Sequence, residues 1–194
     1  EVDDEGVVVE SSATEGTVLP VDAAVSEDGG RVATVAASSD ELLIVERGGQ
    51  DQRRFVIEGE PIAVRFVGQD VLVQTREPSQ LVRLHGDVSD AIALGGADVS
   101  DVGHAIFHRT PKGPTATLAC ASCHPEGRDD GHVWAFSDVG RRRTQPLLGG
   151  ISQTKPFHWN GDMSSLSALM SEVFVTRMGN SPLSGAQEAA FGQW

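Results

Sequence analysis

The stretch Cys120-Ala121-Ser122-Cys123-His124 has the C-x-x-C-H spacing of a covalent c-type haem attachment site. In such a site both sulfurs form thioethers with the haem vinyl groups, and the histidine becomes the proximal iron ligand. The spacing is short because one turn must direct two sulfurs to a porphyrin edge and an imidazole to its centre. The chain contains 2 cysteines, so none is left for another use. The motif therefore predicts one covalent haem c.

Three other uses of the cysteine pair remain open. A structural zinc site usually has four Cys or His ligands and would need a remote partner besides His124. A thioredoxin-like redox pair expects a βαβ context and has no need of the following histidine. A disulfide across two intervening residues would be short and strained.

Composition limits the class of protein. A chain of 194 residues suggests one or two domains. The net charge of −13 argues against nucleic-acid binding, which needs a basic face, and favours basic redox partners or none. No run reaches the roughly 18–20 apolar residues of a membrane span.

The expected location follows from the haem. Covalent haem attachment takes place outside the bacterial cytoplasmic membrane, so we expect a periplasmic or extracellular protein. No signal peptide opens the sequence, which begins at Glu1. We therefore expect a leader that has been removed or that lies upstream.

Residues 1–96 carry short apolar runs separated by turn residues, which predicts an all-β segment. The runs return after about 40 residues, the size of a four-stranded propeller blade. The paired runs are 20–25 with 61–66, 32–35 with 71–73, and 42–45 with 81–84, after an earlier run at 7–9. This repeat resembles the bacterial seven-bladed lactonase, or YVTN-type, propellers. Two blades cannot close a ring, so we expect a piece of a longer propeller chain or larger complex, with a small sandwich as the alternative.

Residues 97–194 are expected to form the haem domain. Residues 98–101 can cap a helix over 102–108, in which Gly103 precedes Phe107 by four positions. A capping box at Ser184 and Gln187 predicts a last helix ending near Trp194. These features resemble class I cytochromes c, where the glycine lets the first and last helices cross closely. The resemblance implies an all-α C-terminal cytochrome domain, and hence an α+β multidomain chain.

The stretch 145–151 resembles the G-P-x-L-x-G-V segment of the same family. By that resemblance the carbonyl of Pro146 accepts the Nδ1 proton of His124 and fixes the imidazole. Arg141, Arg142 and Arg143 form a basic island in an acidic chain. These arginines either lie on a solvated face or, for Arg142 and Arg143, pair with the haem propionates.

Three methionines are candidates for the sixth iron ligand. Met170 belongs to an apolar stripe with helical spacing, which favours core packing. Met178 follows that helix, and the resemblance to class I cytochromes c implies that it is the distal ligand. Met163 is the runner-up, and His158 would give bis-His ligation.

Residues 142–147 and 156–161 also resemble the R-x-T-P-S-L and P-Y-F-H-D-G stretches of bacterial di-haem cytochrome c peroxidases. This chain has one C-x-x-C-H instead of two, and Trp159 and Asn160 replace His and Asp. We therefore expect a mono-haem electron carrier with redox partner proteins. The alternatives are a peroxidase-like enzyme using His158 or Arg142, and a propeller scaffold with an accessory haem.

Overall fold

The computed structural model describes residues 17, 19–49, 51–96, 100–110, 118–136 and 139–194. The predicted strand at 7–9, the cap positions 98 and 99, and the loop at 111–117 lie outside these residues. The chain divides into two compact units. The first comprises the residues up to Ala36 together with Asp40–Gly95, and the second comprises Ala37–Ser39 and Gly96–Trp194.

The first unit contains two four-stranded antiparallel sheets in which neighbouring strands follow one another along the chain. The first sheet is β1 (Pro20–Val25), β2 (Arg31–Ala36), β3 (Glu41–Glu46) and β4 (Gln52–Val56). The second sheet is β5 (Pro61–Val67), β6 (Asp70–Thr75), β7 (Gln80–His85) and β8 (Val88–Ala93). Each sheet is a meander of the kind that forms one propeller blade.

A shared apolar core holds the two sheets together. Leu42, Val35 and Val73 are fully buried, and they belong to a cluster that draws residues from both sheets. The sheets are also joined by a hydrogen bond, because the Val64 N–H on β5 donates to Asp22 Oδ2 on β1 at 2.9 Å. The first unit is therefore one packed body and not two independent hairpin sets.

The repeat identified in the sequence is confirmed strand by strand for β1 to β3 and β5 to β7. The fourth strand of each sheet carried no recognisable pattern. Every residue of β8 is exposed, and β4 is nearly as exposed, so neither has the apolar alternation of a half-buried strand. Phe55 of β4 packs against the core, and otherwise these strands are held by hydrogen bonds to the neighbouring strand.

The second unit is a mixture of short helices, turns and one hairpin. Its helices are α1 (Val102–His108), α2 (Cys120–Cys123), α3 (Leu166–Leu169), which continues as a π-helix over Met170–Arg177, and α4 (Gly185–Gln193). A 3₁₀ turn spans Pro125–Gly127 and another spans Ile151–Gln153. Strands β9 (Val133–Phe136) and β10 (Gly140–Arg143) pair antiparallel.

The prediction of an all-α C-terminal cytochrome domain is therefore wrong, and with it the predicted fold class. The β9–β10 hairpin lies in the middle of the second unit, and its helices are short. The local reason is residue type, because Val133, Trp134 and Phe136 favour a pleated strand over a helix. The stripe at 166–174 is helical as predicted, but from Met170 onward the helix widens from α to π.

The helix predictions at both ends of the second unit are confirmed. Asp101 caps α1 by accepting a hydrogen bond from the His104 N–H at 2.9 Å. Ser184 caps α4 through the predicted capping box with Gln187. The two helices cross at Gly103, where an added Cβ would lie 2.3 Å from Trp194 Cβ. In the described part of the chain, no helix is long and apolar enough to cross a membrane.

Candidate functional site

The C-x-x-C-H stretch folds as a single helical turn followed by its cap. Cys120 and Cys123 are the first and last residues of α2, so their side chains lie three positions apart on one helix face. His124 is the C-cap residue, and its N–H donates to the Cys120 carbonyl at 3.0 Å. Both cysteines are free thiols. The turn therefore presents two sulfurs and an imidazole within one compact segment.

The electrostatic setting of the cysteines disfavours thiol chemistry. Burial raises the pKa of the Cys120 thiol to about 12. Burial also raises the pKa of Cys123, and the nearby Asp130 carboxylate adds to that rise. Reactive and metal-binding cysteines need a lowered pKa, because the thiolate is the nucleophile and the ligand. Burial therefore opposes a redox pair, while a thioether, once formed, has no proton to lose.

The imidazole of His124 is anchored from one side. Its Nδ1 lies 3.3 Å from the Arg128 carbonyl, and this contact leaves Nε2 as the nitrogen available to a metal. Burial lowers the pKa of His124, while the Arg128 and Gln145 backbones act in the opposite direction. The resemblance to class I cytochromes c assigned the acceptor to Pro146. The acceptor here is Arg128, because the chain turns back at Pro125–Gly127 and brings a nearer carbonyl to the ring.

Asp130 closes the loop that follows His124. Its N–H donates to the Cys123 carbonyl at 3.1 Å, so residues 123–130 form a ring. Its carboxylate accepts from the His132 N–H at 2.9 Å and from Trp134 Nε1 at 2.8 Å. The sequence analysis did not identify this role of Asp130. The signal was the Asp130-Gly131 pair, since aspartate side chains often accept hydrogen bonds from the backbone two residues onward.

The basic island lies on β10 of the hairpin. Arg143 already has a partner, because its guanidinium donates to Asp129 Oδ1 at 3.2 Å. Its carbonyl accepts a hydrogen bond from Trp159 Nε1 at 2.9 Å. Arg142 Nη1 donates to the Arg141 carbonyl at 2.9 Å. Arg143 therefore tightens the unit itself, which leaves Arg141 and Arg142 as the less committed charges of the island.

The three methionines differ in burial. Met163 and Met170 are 4% and 2% exposed, and Met163 also forms an isolated bridge with Phe157. Met178 is half-buried at the C-cap of the π-helix, where its N–H donates to the Val173 carbonyl at 2.9 Å. A side chain at a helix end is freer to reorient than one packed in a core. This difference favours Met178 over Met163 as a ligand.

Both ring nitrogens of His158 already have neighbours. Nδ1 lies 3.1 Å from Asp162 Oδ1, and Nε2 lies 3.2 Å from Arg177 Nη1. The side chain is 9% exposed. Since a guanidinium only donates, Nε2 must be the acceptor and Nδ1 carries the proton. His158 is therefore engaged, and bis-His ligation would require both contacts to break.

Two observations in the second unit test whether a haem fits. Large apolar side chains flank the attachment turn at the surface, since Leu118 and Leu148 are 46% and 52% exposed. The Asn180 side chain is 5% exposed, yet neither its amide nitrogen nor its oxygen has a partner among the described residues. A buried amide without a partner is costly and calls for one outside the protein atoms. The two exposed leucines fit a flat apolar group held beside this turn, whereas the Asn180 amide is a separate buried polar group of the same unit.

Comparisons with known proteins add little to this site. No family model matches the chain, and no curated protein matches it. A solved structure titled "Streptogramin B lyase structure" aligns with 44% of this chain and 30% of its own, at 13% identity and a TM-score of 0.40. The chain thus spans less than a third of that protein, and this degree of likeness establishes neither a shared fold nor a shared activity. In the part of the chain that the structure describes, no three His, Cys, Asp or Glu side chains converge as a metal site.

Proposed function

We propose that the second unit binds one haem c covalently and carries single electrons in an exported redox protein. One observation carries the proposal: α2 places Cys120 and Cys123 on one face, with His124 directly behind them and its Nδ1 on a carbonyl. That arrangement supplies two thioether sulfurs and an oriented imidazole. The raised pKa of both thiols counts against redox cycling of the pair.

Each residue of the proposed haem site would have a distinct role. Cys120 and Cys123 would fix the porphyrin edge, and His124 Nε2 would ligate the iron. Met178 would supply the second axial ligand and thereby keep substrates from the iron. Haem, when bound, supplies an iron that gains or loses one electron. The protein then needs only to hold both ligands steady, because little reorganisation accompanies a charge change of one.

Partners and location follow from the same proposal. A haem attached outside the cytoplasmic membrane places the protein in the periplasm or beyond it. The charge of −13 favours redox partners with a basic docking face. The first unit, with its two blade-like sheets, would then be the scaffold, as part of a longer propeller or a larger complex.

Mass and absorption spectra test this function. The protein, expressed with a c-type haem maturation system, should gain the mass of one haem and show a low-spin spectrum. A near-infrared methionine–iron band should disappear in Met178→Ala and persist in Met163→Ala. A colourless protein with the mass of its bare polypeptide overturns the proposal. Loss of the band in Met163→Ala alone overturns the ligand assignment.

A peroxidase-like enzyme is the second candidate, and the environment of His158 is the observation that favours it. Asp162 orients Nδ1, so Nε2 is left unprotonated and able to accept a proton. Arg177 beside Nε2 supplies a positive charge that can stabilise a developing anion. A high-spin spectrum that shifts on adding peroxide or cyanide would support this candidate. A low-spin spectrum insensitive to both supports the electron carrier.

A further inference from the structure

We propose that Asp130 is a positioning residue for the haem site: it closes the loop that orients His124 and places a fixed negative charge beside the attachment turn, which lowers the midpoint potential of the iron. This inference rests on the proposed function. It concerns a residue outside the C-x-x-C-H motif and outside the candidate axial ligands.

The positioning role follows from the backbone. The Asp130 N–H bond to the Cys123 carbonyl, at 3.1 Å, ties the far end of the loop to the attachment helix. The Arg128 carbonyl that faces His124 Nδ1 lies inside this closed loop. The Gly127 carbonyl of the same loop accepts from the Leu147 N–H at 2.8 Å. The backbone of residue 130 therefore closes the segment that holds the imidazole, and the Asp130 side chain can act on it only through the donors it binds.

The carboxylate connects this loop to the β9–β10 hairpin. Trp134, on β9, donates its indole N–H to Asp130 Oδ2, and the His132 N–H donates to Oδ1. Burial opposes ionisation of Asp130, but the nearby Thr144 hydroxyl and these two donors outweigh it and hold its pKa below the ordinary value. Asp130 is thus a carboxylate fixed in place by neutral donors and charged at neutral pH.

The charge of Asp130 is less compensated than that of its neighbour. Asp129 pairs with the Arg143 guanidinium. Asp130 forms no ion pair with Lys or Arg in the described part of the chain. The residue lies beside the motif, since its N–H is bonded to the carbonyl of Cys123, the residue before His124. Ferric iron carries one more positive charge than ferrous iron, so a nearby carboxylate stabilises the oxidised form.

The test compares three variants of the full chain. Asp130→Asn removes the charge and replaces one of the two acceptor oxygens with an NH2 donor, so it also loses one of the bonds from His132 and Trp134. Trp134→Phe keeps the charge and removes one donor. Glu126→Gln is the matched control, because Glu126 is an exposed acid of the same loop without a hydrogen bond or ion pair in the described structure. We expect the midpoint potential to rise most in Asp130→Asn, with smaller shifts in the other two variants.

The loop itself gives a readout that does not depend on electron transfer. Amide hydrogen exchange across residues 123–130 should accelerate in Asp130→Asn and Trp134→Phe but not in Glu126→Gln. The inference is overturned if wild type binds haem and Asp130→Asn matches Glu126→Gln in both potential and exchange. It is also overturned if the potential of Asp130→Asn falls. A wild-type chain that binds no haem defeats the proposed function instead, which the mass spectrum reports separately.

Discussion

Gly103 of α1 and Trp194 at the end of α4 touch where the two helices cross. A Cβ built on Gly103 would lie 2.3 Å from Trp194 Cβ and 3.0 Å from the Ala190 carbonyl oxygen. Phe107 lies one turn further along α1, with its ring centroid 5.0 Å from that of Trp194. The residue without a side chain thus allows a close approach of α1 and α4.

Gly103→Ala should therefore destabilise the second unit. The methyl group meets backbone and a Cβ, which cannot rotate away, so we expect a loss of about 1–3 kcal/mol in the free energy of unfolding. Denaturant titration followed by tryptophan fluorescence measures this loss. Gly185→Ala is the matched control, because Gly185 is also in a helix and a Cβ there meets nothing within 4 Å. That variant should be neutral or more stable, and equal losses in both would contradict the crossing.

The two thiols should react at different rates in protein purified without haem. Cys120, with a pKa of about 12, forms far less thiolate at pH 8 than an ordinary cysteine. Cys123 has a raised pKa as well, but it is less deeply buried. Iodoacetamide labelling followed by peptide mass spectrometry should modify Cys123 first, and both should be slow. In denaturant the two rates should converge, and faster labelling of Cys120 in the folded chain would contradict its burial.

Replacing each methionine by alanine should lower the free energy of unfolding by a different amount. Met163→Ala and Met170→Ala remove buried side chains, so each should lower the free energy of unfolding by about 2–5 kcal/mol without haem. Met178→Ala removes a half-buried side chain at a helix end and should cost less. Thermal unfolding of the three variants, purified without haem, makes the comparison. A large loss in Met178→Ala would mean that Met178 is a packing residue.

Ionised Asp130 should contribute to the free energy of unfolding at neutral pH and lose that contribution in acid. Its pKa is lower in the folded chain than in the unfolded chain, so the folded state binds fewer protons as the pH falls. The contribution is present above the unfolded value of about 3.9 and is lost as the pH drops through the folded pKa. Unfolding curves between pH 6 and pH 3, taken as rough limits, should show a steeper acid loss in wild type than in Asp130→Asn. If the free energy of unfolding falls equally with pH in wild type and Asp130→Asn, Asp130 is not held ionised by the fold.

Local signals were sufficient for much of the fold. Asp101 and the Ser184–Gln187 pair cap helices because capping depends on three or four adjacent residues. The turn at 26–30 follows from Asp28, whose carboxylate accepts from Ser26 Oγ and the Gly30 N–H. Helix caps depend on residues that are close together in the chain, so they could be predicted from the sequence.

The features that sequence reasoning missed depend on distant or unpatterned partners. β10 consists of Gly140 and three arginines, which have no apolar alternation. Its pairing with β9 therefore could not be predicted from the sequence pattern. The widening from α to π at Met170 leaves the apolar stripe of the sequence unchanged. For the haem site, the attachment turn was readable from its motif. The Arg128 carbonyl that faces His124 was not, because the resemblance indicated Pro146 and the chain reversal at Pro125–Gly127 leaves no sequence signal.

The exposed strand β8 has one further consequence. Its outer edge carries a row of peptide groups with no neighbouring strand in the described part of the chain, and Val88 and Ile92 on it are 66% and 53% exposed. Such an edge is a template onto which another polypeptide can add, whether a sister repeat or a misfolded copy. Six residues that contribute almost nothing to the interior thus form a surface on which self-association can begin.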